Sequence, residues 1–242
     1  MMNILLSMSK HSLIIPMLNT SEKYIDKVPI EFQYDNIIGE MNCIKSLLSI
    51  DLSQFTDIYF VILNRHDIQF NIIEKLQVSI RNNKEFNGKN INIYNVDNPT
   101  HSQCETVYNV IKKFNISGHI VIKDADTLYK CNEFITGNTV MIYSMENLSI
   151  VDPQHKSYIK LDDQKYIINI IEKRIISKYF SCGGYSFESA EDFVNAYEHL
   201  LGLEDIKNHM YISHIIYYLM LFNKLKFKPI EALYYEDFEI NK

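Results

Sequence analysis

The sequence predicts an α/β fold, and three observations lead there. Short runs rich in Ile, Val, Tyr and Phe alternate with longer amphipathic stretches, as when strands exchange with helices. The first half reads strand, helix, strand, helix, strand, which implies parallel strands joined by right-handed crossovers. The chain has 242 residues, 47% hydrophobic and 22% charged, the proportions of an ordinary folded chain able to bury a sizeable core. No repeat, low-complexity tract or Pro/Gly/Ser-rich linker marks a boundary, so residues 1–242 are read as one domain.

Taken in order, Asn3–Met8 is the first apolar run and is read as the opening strand. An amphipathic stretch over Asn42–Ser49 reads as a helix, and the apolar run Asp57–Leu63 as the next strand. The pattern then gives a helix over Asp67–Arg81, a strand over Asn90–Tyr94, a helix over Gln103–Phe114 and a strand over His119–Lys123. Four further strands follow, at Thr139–Tyr143, Tyr158–Leu161, Ile167–Glu172 and Cys182–Phe187. Ser189 caps a helix over Ala190–Leu201, with Glu191 and Asp192 suiting the positive end of its dipole. A last helix is expected over His209–Leu225, its tyrosines Tyr211, Tyr217 and Tyr218 reading as core or interface residues. Ligands of such a fold sit at the carboxyl ends of the strands, so functional residues are expected after Met8, Leu63 and Lys123.

Composition narrows the function. Lys plus Arg number 24 and Asp plus Glu 30, a net charge of −6 that disfavours binding a nucleic-acid duplex through a broad basic face. The four cysteines, Cys43, Cys104, Cys131 and Cys182, lack C-x-x-C spacing and read as reduced thiols of a cytoplasmic protein. Lys10 and His11 interrupt the only N-terminal candidate for a signal peptide, and Tyr211–Phe222 falls short of a bilayer span, so no membrane insertion is expected. The eight histidines show no metal-binding pair, and neither a nucleophile triad nor G-x-S-x-G occurs. Glycine is scarce, seven where an average chain of this length has roughly 17.

The strongest local signal is Val121-Ile122-Lys123-Asp124-Ala125-Asp126-Thr127, an apolar strand ending in two carboxylates one residue apart. Such a pair suits a divalent cation shared with substrate phosphates. The plainer alternative is an acidic turn. Lys27, in Asp26-Lys27-Val28-Pro29-Ile30-Glu31-Phe32, suits neutralisation of phosphate charge or else a solvated surface. Gly183-Gly184, just beyond Glu172-Lys173, signals close backbone approach to a ligand or to a packed helix.

In their order these segments resemble the sugar-phosphate nucleotidyltransferases. Met2–Ser9 looks like the family's opening strand and loop entry, Lys27–Phe32 like its lysine segment, and Thr100–Val107 like the segment lying against the nucleotide. Asp124 and Asp126 match its metal-binding strand end; Lys156–Asp162, Glu172-Lys173 and Gly184–Phe187 match its sugar-contacting stretch; Asp237 falls where a second metal aspartate is placed. The glycine-rich phosphate loop is replaced by Ser9-Lys10-His11-Ser12.

The resemblance implies a Rossmann-like, three-layer fold of the GT-A and nucleotidyltransferase type, with a mixed, mostly parallel central sheet. It implies a cytoplasmic, Mg2+-dependent enzyme that couples a nucleoside triphosphate to a sugar phosphate or similar phosphorylated small molecule, releases pyrophosphate, and supplies precursors for capsule or lipopolysaccharide. On this reading Lys27 and Asp126 are catalytic, and Asp126 and Asp237 hold the metal. Ser9, Lys10, Gln103, Asp124, Glu172, Lys173 and Gly184 bind substrate, with Gln103 on the base and Glu172 and Lys173 on the phosphorylated partner. No nucleic-acid partner is expected, and a homo-oligomer is compatible with the reading. The altered loop keeps two rivals open, a GT-A-like glycosyltransferase acting on a nucleotide sugar and a catalytically inactive binding protein on the same fold.

Overall fold

Alternate residues of the strand β1 (Ser12–Met17) enter two different apolar clusters, Leu13, Ile15 and Met17 one of them and Ile14 the other. The next strand, β2 (Asp57–Leu63), divides in the same way, with Ile58, Phe60 and Ile62 on the first side and Tyr59 and Val61 on the second. Side chains point to opposite faces at successive strand positions, so strands apolar at every position must be covered on both. The chain is described here by a computed structural model covering residues 11–18, 24, 26–133, 135–148, 155–203 and 210–239.

In chain order the elements after β1 are α1 (Asn42–Leu47), β2, α2 (Asn64–Phe70), α3 (Ile72–Asn82), β3 (Asn90–Val96), α4 (Gln103–Phe114), β4 (Ile120–Lys123) and β5 (Thr127–Lys130). Then come β6 (Thr139–Ser144), β7 (Ser157–Leu161), β8 (Ile167–Glu172), β9 (Tyr179–Phe187), α5 (Ala190–Leu201), α6 (Ile212–Leu221), β10 (Lys228–Glu231) and β11 (Tyr234–Asp237). The main sheet runs β10-β6-β9-β4-β1-β2-β3, with β7 paired to β9 and β8 to β7. Strands β1 to β4 are parallel, β10 is parallel to β6, and β9 lies antiparallel between β4 and β6. Residues of α1 and α3 pack into the first cluster, and those of α4, α5 and α6 into the second. The expected three-layer arrangement with a mixed, mostly parallel sheet is what the structure has.

Several elements differ from expectation. Asn3–Met8 lies outside the described residues; the first described strand is Ser12–Met17, so Ser12, expected in a phosphate loop, belongs to the sheet. Pro16 speaks against a central strand by sequence. Ser12 N donates to His119 O, so the even-numbered residues of β1 turn their backbone toward β4, whose pairing stops at Ile14. Pro16 therefore stands where no ladder donor is required. The single helix expected over Asp67–Arg81 is two, broken at Asn71, which takes a left-handed φ of 53°. Asp67 caps the second, its Oδ1 accepting from Ile73 N at 2.8 Å. The last helix is shorter than expected, and β5, β10 and β11 were not expected at all. Cys43, Cys104 and Cys182 are buried, Cys131 is half-buried, and all four are free thiols.

The strand β11 leaves the main sheet and pairs antiparallel with β5, setting Asp237 opposite Thr127. Phe238 N donates to Asp126 O at 3.0 Å. This two-stranded sheet carries the second acid to the first.

Candidate active site

The carboxyl end of β4 opens into the turn Asp124-Ala125-Asp126, which β5 closes. Lys123, fully buried, holds the turn from beneath: its Nζ donates to Ser46 Oγ at 2.7 Å, Asp124 O at 2.8 Å and Thr127 O at 2.6 Å. The ammonium also lies 4.4 Å from the centroid of the Tyr129 ring. Burial lowers the pKa of Lys123, and Asp124 and Asp126 oppose that by favouring its charge.

Two cavities meet above this turn. The first, about 350 Å³, is lined by the end of β1 (Pro16 to Leu18), by Glu31, by Thr100 to Gln103 ahead of and opening α4, and by Asp124 to Asp126. Ser102 caps α4 by accepting from Glu105 N at 3.1 Å, while Glu105 Oε2 takes His101 N at 2.6 Å. That cap fixes the loop forming the cavity's edge. The second cavity, about 270 Å³, is bounded by Lys156, Ser157, Glu172, Lys173, Gly183 and Tyr211 among others. Gln103 and Asp124 line both cavities, and Gln103 Nε2 donates to Asp124 Oδ1 at 2.5 Å.

The acids at the junction resist ionising together. Burial raises the Asp124 pKa, and Asp126 raises it further; Gln103, Lys123 and Lys156 pull it back. Burial and then Asp237 raise that of Asp126. Asp237 Oδ2 accepts from Lys156 Nζ at 2.7 Å, and its Oδ1 from Glu239 N at 2.9 Å.

Of the residues singled out from sequence, Gln103, Asp124, Asp126, Glu172 and Lys173 line the cavities; Asp237 lines neither, and the β5–β11 pairing sets it opposite Thr127, where it accepts from the cavity-lining Lys156. Glu172 accepts from Ser157 Oγ and, at 3.1 Å, from Ser213 Oγ. Lys173 is exposed at the mouth, its Nζ donating to Tyr211 Oη at 2.7 Å.

Others are placed elsewhere. Gly184 turns away from the cavity: a Cβ there would come within 2.3 Å of Tyr129 Oη and 2.6 Å of Met141 in the core. The glycine facing Asp124 is Gly183, at φ +81°, where a Cβ would stand 2.3 Å from Asp124 Oδ2. Lys27 is exposed and is not among the described residues lining either cavity, although Glu31 of its segment is. His11 and Ser12 sit at the amino end of β1, away from the cavities, with the His11 ring 4.3 Å from that of His119. They cannot stand in for a phosphate loop there. Ser9 and Lys10 lie outside the described residues. Sequence reasoning missed Lys156, Gly183 and the cavity-facing position of Tyr211, whose motifs it had seen without separating wall from core.

The neighbouring acids Asp126 and Asp237 suit a hard divalent cation. Asp126 and Asp237 offer carboxylate oxygens, and among the described residues the Asp126 carboxyl takes only its own backbone N–H. Among the described residues no group of three or more His, Cys, Asp or Glu side chains forms a larger metal cluster.

No protein-family profile and no curated protein matches this sequence. Solved structures do. A nucleoside-diphosphate-sugar pyrophosphorylase from Vibrio cholerae RC9 superposes with a TM-score of 0.72 at 20% identity, covering 90% of this chain and 91% of its own. The inositol-1-phosphate CTP transferase from T. maritima gives 0.67 at 13% identity, covering 94% and 89%. The fold is that of the sugar-phosphate nucleotidyltransferases. HddC from Yersinia pseudotuberculosis, solved as a complex with GMP-PN, shares this nucleotidyltransferase fold at a TM-score of 0.60 and 14% identity, covering 96% and 95%. Among the described residues no helix is long and apolar enough to cross a membrane.

Proposed function

We propose that this protein is a nucleotidyltransferase that joins a nucleoside triphosphate to a sugar phosphate or a comparable phosphorylated metabolite and releases pyrophosphate. The observation that carries the reading is the meeting of two cavities at Asp124 and Gln103, with Asp126 in the wall of the first and Asp237 bonded to Lys156 in the wall of the second. Two substrates must approach one reacting phosphorus, and two chambers sharing a wall at an acidic turn hold them in that relation.

The triphosphate occupies the first cavity, with its base toward the Thr100 to Gln103 edge. The phosphorylated partner occupies the second, its hydroxyls facing Glu172 and Ser157 and its phosphate directed to the junction. A phosphate oxygen of the partner forms a bond to the α-phosphorus, the bond from that phosphorus to the bridging oxygen breaks, and pyrophosphate leaves. Asp126 and Asp237 would hold a divalent cation, Mg2+ on this reading, which would supply neutralisation of the charge gathered on the phosphate oxygens. Gln103 keeps Asp124 aligned, and Lys123 keeps the turn from shifting. On this reading the reaction is cytoplasmic, and its nucleotide-activated product is a precursor for surface polysaccharide.

The test is pyrophosphate release from a panel of triphosphates paired with sugar 1-phosphates and polyol phosphates, with and without Mg2+. Release that needs both substrates and the metal supports the reading. Absence of release, together with calorimetry showing no metal-dependent triphosphate binding, overturns it.

A further inference from the structure

Lys156 stands in the wall of the second cavity, directly before β7, and is 7% exposed. Its ammonium lies over two aromatic rings, 5.8 Å from the centroid of Phe180 and 5.1 Å from that of Tyr235. The ammonium donates to Tyr235 Oη at 2.5 Å and to Asp237 Oδ2 at 2.7 Å. Asp237 thus already has a cation on one oxygen and the Glu239 N–H on the other.

A carboxylate so occupied gives an incoming divalent cation a full share of its charge only if the ammonium yields. A nearly buried ammonium that loses its anion is strongly disfavoured unless another anion replaces it. The second cavity, which Lys156 lines, is where the phosphate of the partner substrate is placed above.

Resting on the nucleotidyltransferase reading, we propose that Lys156 is a placeholder cation. It sits on Asp237 in the metal-free protein, gives that carboxylate up as a divalent cation binds, and then donates to a phosphate-ester oxygen of the substrate in the second cavity. Lys156 is then a substrate-binding group whose availability depends on the metal, so metal binding and phosphate binding are coupled through one side chain.

The experiment is Mn2+ titration of the full chain, followed by electron paramagnetic resonance, with inorganic phosphate as the second probe. Lys156→Met removes the competitor and should tighten Mn2+ by about fivefold to tenfold. Lys156→Arg keeps the charge, can grip Asp237 with two donors, and should weaken Mn2+ severalfold. At saturating Mn2+, phosphate affinity should fall about tenfold in Lys156→Met and change less than about threefold in Lys156→Arg. A purely structural lysine would not shift Mn2+ affinity in opposite directions in the two variants. If Lys156→Met does not fold, the direction seen in Lys156→Arg decides. Asp126→Asn, run alongside, separates the failures. Unchanged Mn2+ affinity in Asp126→Asn overturns the metal reading itself, whereas loss there with unchanged affinity in the Lys156 variants overturns this proposal alone.

Discussion

Gln103 Nε2 donates to Asp124 Oδ1 at 2.5 Å, and this contact stands where the two cavities meet. The hydrogen bond favours the ionised carboxylate and so opposes the burial that raises its pKa. Gln103→Leu removes the donor and should move the Asp124 pKa further up by about one unit. Carboxyl-carbon NMR across pH 4 to 9, with Asp124→Asn supplying the assignment, measures the change; a downward or absent shift contradicts it.

Asp126→Asn should reduce pyrophosphate release at least about a hundredfold while the fold persists. The same change removes one of two mutually repelling acids, so its thermal midpoint without metal should equal or exceed that of the parent. Differential scanning calorimetry with a chelator present reads the second half of this statement independently of activity.

Gly183→Ala and Gly184→Ala separate wall from core. Each added Cβ meets an atom at 2.3 Å, Asp124 Oδ2 in the first case and Tyr129 Oη in the second. Each should cost roughly 2 to 3 kcal/mol, or about 4 to 10 °C in Tm. Metal and substrate affinity at a temperature where both variants are folded should fall only for Gly183→Ala, since Gly184 does not face the cavity.

Lys123→Met strips three donations from Ser46, Asp124 and Thr127 inside the core. Ser46 Oγ still donates to Thr127 O at 2.6 Å, so the loss should destabilise the chain by roughly 1 to 3 kcal/mol in urea unfolding. The reverse result, a gain in stability, would show that the buried charge costs more than its three bonds return.

Acid should weaken the protein below neutrality through two histidines. Burial pushes His66 and His119 down to about 4, well under their ordinary value of 6.5. The unfolded chain takes up protons first, so the stability these groups hold above pH 6.5 is lost as pH falls toward 4. Each should add up to about 1 kcal/mol per pH unit to the slope, and His66→Gln should flatten it by its share. Urea midpoints between pH 7 and 4.5 give the comparison.

Much of the sheet could be read from residues because inner strands such as β2 and β4 are near-continuous apolar runs. Val121–Lys123 and Ile167–Glu172 announce themselves as short Ile-rich runs bounded by polar residues. The edges were harder. A proline within β1 is harmless only because its neighbour's pairing ends at Ile14, which depends on register. Asn71 hid the break between α2 and α3, because its left-handed conformation leaves no mark on the apolar periodicity. The acids of the β4 turn were legible as a motif. The partner lysines were not, because Lys156 reaches Asp237 only through β11, a four-residue strand drawn away from the main sheet.

Strand β9 gives one glycine to the cavity and the next to the core, with a side-chain atom close behind each position. Such a back wall has no slack to accommodate a bulkier or differently shaped acceptor. Divergence in what a protein of this shape accepts would accordingly be written at the rim, at Lys173 and Tyr211, where a side chain can be exchanged without disturbing the sheet. An engineer wishing to redirect its choice of acceptor would begin there and leave the paired glycines alone.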